Sequence, residues 1–276
     1  MDQKLLLAKE CFRGSPNAMI DTHSHLYFDS YDEDRLEVMA RNMALLDAVI
    51  TVGVDESTSQ KAITLSEKYP NMYAAVGLHP EEIAFPTDVL WVERSVSHKK
   101  VVAIGEIGLD YSKLSSEHDV ESTVTNQKNA FRAQLEIALR TNLPVVIHSR
   151  DAFDDTLEIL TAYKGSLRGV WHSFTGDVES MQKVIRIGFM IGINGIVTYT
   201  SAQPLQDAVS RVELSHLVLE TDAPFLPPVP HRGERNEPYM VTLVAEKVAS
   251  LRKDTVENVI AQTDKNAQKL FLERVL

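Results

Sequence analysis

Eight short, nearly unbroken apolar runs punctuate this chain, each followed by a polar turn and an amphipathic stretch. The runs are Met19–Thr22, Ala48–Val52, Met72–Val76, Val101–Ile104, Val145–Ile147, Gly169–Val170, Phe189–Ile193 and Leu217–Leu219. Strands that read as continuous hydrophobic segments are buried on both faces, the condition of a parallel sheet covered by helices. Between them, apolar residues recur at helical spacing over Ser57–Lys68, Thr125–Thr141, Ala152–Tyr163, Val178–Arg186 and Ala202–Arg211. Two further helices, Pro238–Ser250 and Thr255–Arg274, close the chain. Such alternation, eight times over in 276 residues, predicts an α/β fold: a TIM (β/α)8 barrel forming a single domain over residues 19–276. A doubly wound open sheet is the alternative, but no Gly-x-Gly-x-x-Gly follows the first strand.

Residues 1–18 read as an N-terminal extension. Their three-leucine patch is flanked by charges and is too short for a secretory core. The single cysteine, Cys11, lies there, so no internal disulfide is expected and a reducing, cytoplasmic setting fits. At 44% hydrophobic and 24% charged the chain can bury a core, and no apolar run approaches the ~20 residues of a membrane helix. No obligate protein partner is evident. A formal net charge of −11 argues against a broad duplex-binding face. It leaves open a small phosphodiester site, where bound cations offset carboxylates.

The polar residues gather at the C-terminal ends of the expected strands. Strand 1 leads into His23 and His25, strand 4 into Glu106, strand 5 into His148, strand 6 into His172 and strand 8 into Asp222. In a barrel that edge builds the active site. His23 and His25, two apart on an extended chain, project to the same side and can chelate one cation. Four imidazoles with two carboxylates suit Zn²⁺, Mn²⁺ or a similar ion, with Mg²⁺ less natural to imidazole. A single His at a strand end is usually a hydrogen-bonded structural residue. Six at one mouth without a metal would be a costly set of buried ionisable groups. Asp21 and Glu220, one layer deeper by parity, read as partners that orient ligands or as buried hydrogen-bonded carboxylates. His79 reads as a substrate contact or a loop cap. Arg150 has the parity and reach for an anionic substrate. Arg232, Arg235 and Asn236, in the polar loop Pro228–Pro238, could clamp a phosphate, with solvated charge the better reading for Arg235.

Seven ordered motifs carry a family resemblance. They are Ile20-Asp-Thr-His-Ser-His25, Gly77-Leu-His-Pro80, Ile104-Gly-Glu-Ile-Gly-Leu-Asp110, Pro144-Val-Val-Ile-His-Ser-Arg-Asp-Ala152, Trp171-His-Ser-Phe-Thr-Gly176, Leu219-Glu-Thr-Asp-Ala-Pro224 and Arg232-Gly-Glu-Arg-Asn-Glu-Pro238. From residue 19 to the end the chain resembles the TatD family of metal-dependent deoxyribonucleases. The resemblance implies an amidohydrolase-type barrel with two divalent ions per chain (Mg²⁺, Mn²⁺ or Zn²⁺). It puts His23, His25 and Asp222 on one ion, His148 and His172 on the other, and Glu106 between them. It also implies cleavage of DNA phosphodiesters, often 3′ to 5′, at single-stranded or frayed ends; members are linked to DNA repair and to DNA degradation in programmed cell death. Three features depart from common relatives: the extension before Met19, the long polar stretch Ser112–Asn126, expected as a loop near the mouth, and Ser173 where many relatives have Cys.

The chemistry these residues imply is metal-assisted hydrolysis. Asp222 orients and deprotonates the attacking water, Glu106 shares the catalytic centre, and Arg150, Arg232 and Asn236 position the phosphate. Two alternatives stand beside it: the same site acting on an ester or amide, as in a D-aminoacyl-tRNA deacylase, and a metal-binding scaffold without turnover.

Overall fold

The computed structural model describes residues 19–83, 87–114 and 119–274; the extension 1–18, with Cys11, lies outside them. Eight parallel strands form one sheet in chain order: β1 Met19–Ser24, β2 Leu46–Val52, β3 Met72–Val76, β4 Val101–Asp110, β5 Val145–Arg150, β6 Gly169–Trp171, β7 Met190–Ile193 and β8 Leu217–Leu219. The α-helices among the described residues are α1 Arg35–Leu45, α2 Glu56–Glu67, α3 Leu90–Ser95, α4 Val120–Thr141, α5 Phe153–Thr161, α6 Val178–Arg186, α7 Gln203–Arg211, α8 Val241–Arg252 and α9 Val256–Ala267. Past the end of β8 the sheet closes on β1. The Asp222 amide donates to the His23 carbonyl (2.9 Å), the His25 amide donates to the Ala223 carbonyl (2.6 Å), and Ser24 bridges Ala223. The eight expected strands are all present, as a TIM barrel.

Local chemistry sets the helix starts. Asp55 and Thr58 form a reciprocal cap on α2, and Asp119, Asp177 and Thr255 accept amides at the first turns of α4, α6 and α9. The Asp119 cap corrects the expectation for Ser112–Asn126: residues 120–126 are the opening turns of α4, whose polar side chains sit on its outer face. Helices α1 and α3 were not expected. α1 buries only Val38, Met39 and Asn42, while Leu36 is exposed and blurs the apolar period.

Two apolar layers hold the barrel. Ile20, Ile50, Val52, Val102, Val146, Val170 and Val218 fill its interior, and a larger cluster packs the strands' outer faces against the helices. The interior cluster continues into Ala267, Leu270, Phe271 and Leu272, which plug the bottom. There the expected single helix Thr255–Arg274 divides: α9 ends at Ala267 and a π-helical turn, Gln268–Leu272, turns its apolar residues inward. Asp264 on α9 ties this plug to β1 by accepting the Ile20 amide (3.0 Å).

Burial, helped by Asp47, pushes the Asp264 carboxyl up to about 7 from its ordinary 3.8. Between those values the folded chain holds a proton that the unfolded chain has released. The resulting stabilisation is full below the ordinary value and is lost as pH rises through about 7. Asp264→Asn removes this titration. The wild type should therefore gain roughly 1–3 kcal/mol on the variant between pH 8 and pH 5. Thermal unfolding of both proteins at the two pH values checks this; a constant difference contradicts it.

Candidate metal centre

The pleat and two irregularities aim the polar residues into the mouth. Val146, Val170 and Val218 belong to the interior cluster, and two residues further along those chains lie His148, His172 and Glu220. Contrary to the expectation, Glu106 is not at a strand end. β4 runs on to Asp110, and Glu106 sits at a register shift against β5 between Ile104 and Ile107. A second shift, in β1 against β2 between Asp21 and Ser24, spans His23. Gly108 (φ +148°) permits the close approach of β4 to β5: a Cβ there would lie 1.9 Å from the His148 carbonyl oxygen.

Glu106 is the hub. Its Oε2 lies 3.3 Å from His23 Nε2 and 3.8 Å from His25 Nε2; its Oε1 lies 2.7 Å from His148 Nδ1 and 3.7 Å from both His172 Nε2 and His79 Nε2. Asp222 Oδ1 faces His25 Nε2 (3.4 Å), His23 Nε2 (3.7 Å) and His172 Nε2 (3.8 Å). Three sets of donors close enough for a cation result: His23–His25–Glu106, His23–His172–Asp222 and His79–Glu106–His148. His172 thus groups with His23, on which its ring stacks at 3.5 Å, whereas the resemblance pairs it with His148.

The donor chemistry fits a cation. His25 Nδ1 lies 2.7 Å from the Val52 carbonyl, His148 Nε2 lies 2.8 Å from Asp110 Oδ2, and His172 Nδ1 lies 2.9 Å from Glu220 Oε1. The outer nitrogens of His25 and His148 rest on hydrogen-bond acceptors and that of His172 lies beside a carboxylate; all three inner nitrogens face Glu106, and those of His25 and His172 also face Asp222. That is how metal-binding histidines are oriented. His23 Nδ1 and His172 Nδ1 are both buried with no hydrogen-bond partner among the described residues, so hydrogen bonding alone does not account for these rings. His79 differs. Its Nδ1 accepts the Glu81 amide (3.2 Å), which caps the turn Pro80–Glu82 and leaves an N–H on Nε2 when the ring is neutral. Burial lowers His79 to about 4, so the ring is neutral at pH 7 and faces the cluster as a donor.

The cluster's own electrostatics are those of a cation site. Burial opposes charge on Glu106, yet His172, His23 and His148 hold it well below the ordinary carboxylate range. Asp222 is likewise lowered against its burial, by His25 and the neighbouring imidazoles. Burial works against protonation of His148 and His172, but Asp110 and Glu106 raise the first to about 9, and Glu220 and Glu106 raise the second to about 10. Their inner protons must leave when a cation binds. Backbone strain marks the same rim. Asp151, Ser173, Asp222 and Leu226 are all left-handed (φ 47–62°) and follow strands β5, β6 and β8, which lead into the cluster.

Asp21 spans the closure: it accepts the Thr221 amide (2.9 Å) and hydroxyl (2.7 Å) and the His23 amide (3.3 Å), so it steadies the backbone beside the candidate ligands and not their imidazoles. Burial pushes its carboxyl well up. Glu220 does meet a candidate ligand, His172, and Gly192 leaves it room. Arg150 and Arg232 are exposed, Arg232 lying 4.2 Å over the Tyr199 ring. Asn236 is a correction: it is fully buried, donates to the Thr221 and Phe225 carbonyls (2.9 and 2.7 Å) and accepts the Glu237 amide, which leaves nothing to clamp a phosphate. Arg235 is no free surface charge either, being paired with Asp34 at 2.6 Å and stacked on Tyr31. Asp110 went unassigned from sequence. Its signal was the acidic end of the Ile-Gly-Leu-Asp run, hidden by ending the strand at Ile104.

A closed parallel barrel with this donor cluster at its C-terminal mouth defines a metal-dependent hydrolase. The family profile described as TatD related DNase matches residues 20–272. The chain is 38% identical over 257 residues to the uncharacterized metal-dependent hydrolase YabD of Bacillus subtilis, covering 92% of this chain and 98% of that one. It is 32% identical over 262 residues to the 3′-5′ ssDNA/RNA exonuclease TatD of Salmonella typhimurium, at 92% and 98% coverage. The crystal structure of YjjV, a TatD homologue from Escherichia coli, superposes with a TM-score of 0.84 at 28% identity, covering 93% of this chain and 98% of that one. The chain belongs to the TatD family.

If Asp110 orients His148, Asp110→Asn should weaken binding of one Mn²⁺ by about 10–100-fold without changing the fold. Calorimetric Mn²⁺ titration alongside circular dichroism reads this. Unaltered affinity for every ion would show that Asp110 has no such role.

Proposed function

We propose that this hydrolase is a deoxyribonuclease that cleaves DNA phosphodiesters from single-stranded or frayed ends, 3′ to 5′, using two divalent ions (Mg²⁺, Mn²⁺ or Zn²⁺) in the cytoplasm. The observation that supports it most is the convergence of outward-anchored imidazoles on Glu106 and Asp222. His23, His25 and Asp222 are the ligands proposed for one ion and His148 and His172 for the other, with Glu106 shared. When bound, such ions polarise a phosphoryl oxygen and lower the pKa of water from ~15.7 towards ~7.

The chain's own groups take the remaining roles. Asp222 is the more open of the two cluster carboxylates, at 13% side-chain exposure against 5% for Glu106. Held ionised by its imidazole neighbours, it is placed to orient the attacking water and take its proton. The His79 N–H, 3.7 Å from Glu106 Oε1, can donate to a phosphoryl oxygen at the cluster. Arg150 and Arg232, both exposed, supply positive charge for the flanking phosphates. The exonuclease activity named for the Salmonella relative agrees with this substrate class. Among the described residues no helix is long and apolar enough to cross a membrane.

Asp222→Asn should lower turnover on single-stranded DNA by about 10²–10⁴-fold while leaving the thermal midpoint near that of the wild type. Exhaustive chelation should abolish turnover, with Mg²⁺, Mn²⁺ or Zn²⁺ restoring it. The assay runs DNA beside a phosphodiester chromogen and D-aminoacyl-tRNA. Turnover confined to the aminoacyl ester would replace the nuclease reading with the deacylase one, and activity surviving chelation would remove the metal from the chemistry.

A further inference from the structure

Among the described residues every Phe, Tyr and Trp is buried or half-buried except Phe225, whose ring is 47% exposed. Its backbone, by contrast, is fixed. The Phe225 amide donates to the Asp222 carbonyl (2.8 Å), its carbonyl accepts from Asn236 (2.7 Å), and left-handed Asp222 and Leu226 flank it. Phe28 stands in the matching place three residues after His25. Its amide donates to the His25 carbonyl (3.2 Å), and the Arg35 guanidinium binds the carbonyls of Leu26, Tyr27 and Phe28.

These two loops bring their rings together at the mouth. Phe28 and Phe225 meet edge to face at 5.4 Å, and Tyr27 backs Phe28 at 5.2 Å. The His25 ring touches all three, at 6.0, 5.6 and 6.1 Å, so the aromatic shelf begins at the metal cluster. A rigid backbone under a solvated ring is a preorganised apolar platform: little is left to order when a flat partner arrives. The same loop carries Arg232, exposed and stacked on Tyr199, as a cation for a phosphate. With a net charge of −11 the protein draws little on long-range attraction to a polyanion, so affinity has to come from contacts close to the site.

We infer that Phe225 and Phe28 form a stacking subsite for an unpaired nucleobase next to the scissile phosphate. The subsite explains a preference for unpaired ends, because a base held in a duplex cannot present its face to Phe225. It rests on the nuclease reading above, and the test separates the two.

Steady-state cleavage of a single-stranded oligothymidylate is compared with that of the same strand carrying abasic residues at its two 3′-terminal positions. On the intact strand Phe225→Ala should raise KM about five- to hundredfold, and Phe225→Trp should keep it near the wild-type value. Phe225→Leu, which retains apolar bulk but no flat π face, should behave as Phe225→Ala does. On the abasic strand the wild type should already show the raised KM, and none of the three substitutions should add to it. An unchanged KM on the intact strand, or an equal rise on both strands, overturns the subsite. If the wild-type enzyme cleaves neither strand, the nuclease reading fails, and the subsite with it.

Discussion

The hydrogen bond from the Asp222 amide to the His23 carbonyl joins the first strand of the barrel to the segment after the last, and the metal centre depends on that joint. Three of the proposed ligands, His23, His25 and Asp222, lie on the two peptide segments that close the sheet. Their spacing is therefore set by backbone hydrogen bonds and not by side-chain freedom. Asp21 and Thr221 reinforce the same joint from below, through contacts 200 residues apart in sequence. A site built this way cannot loosen without opening the barrel, which is the kind of support a catalytic constellation needs to keep its geometry.

Electrostatics take over where the backbone stops. Four imidazoles and two carboxylates share the mouth, His23, His25, His172 and Glu106 buried and His148 and Asp222 half-buried, and burial opposes the charged forms of Glu106, Asp222, His148 and His172. Instead Glu106 and Asp222 stay ionised because imidazoles face them, and His148 and His172 draw protons because carboxylates stand behind them. The arrangement offsets its own desolvation pairwise and supplies negative charge and nitrogen donors to a cation. Asp110 and the Val52 carbonyl, anchoring the outer nitrogens of His148 and His25, and Glu220, whose carboxylate lies beside the outer nitrogen of His172, complete the design.

Much of this was legible in the sequence, for identifiable reasons. Buried parallel strands leave continuous apolar runs, so all eight were visible, and ligand-type residues at their ends pointed to one mouth. What stayed hidden was set by tertiary context. Strand β4 reads as four residues long because Glu106 and Asp110 are polar, yet both lie within the strand, Glu106 at its register shift and Asp110 paired with Arg150, and this hides the Asp110 contact with His148. Asn236 looked like a phosphate ligand because it is polar and sits in an Arg-rich loop. Only the fold reveals that its amide is consumed in holding the Asp222 loop. The polar stretch before Thr125 passed for a loop since its helix is started by a single cap, Asp119, and faces water.

The central proposal is that the barrel's closure and the Glu106 hub together create a two-ion centre. The most direct measurement is equilibrium dialysis of the apo-protein against Mn²⁺ followed by elemental analysis, for the wild type and for Glu106→Gln. The account predicts two Mn²⁺ per wild-type chain and the loss of at least one in the variant. Fewer than one Mn²⁺ per wild-type chain, or two retained without the Glu106 carboxylate, would contradict it.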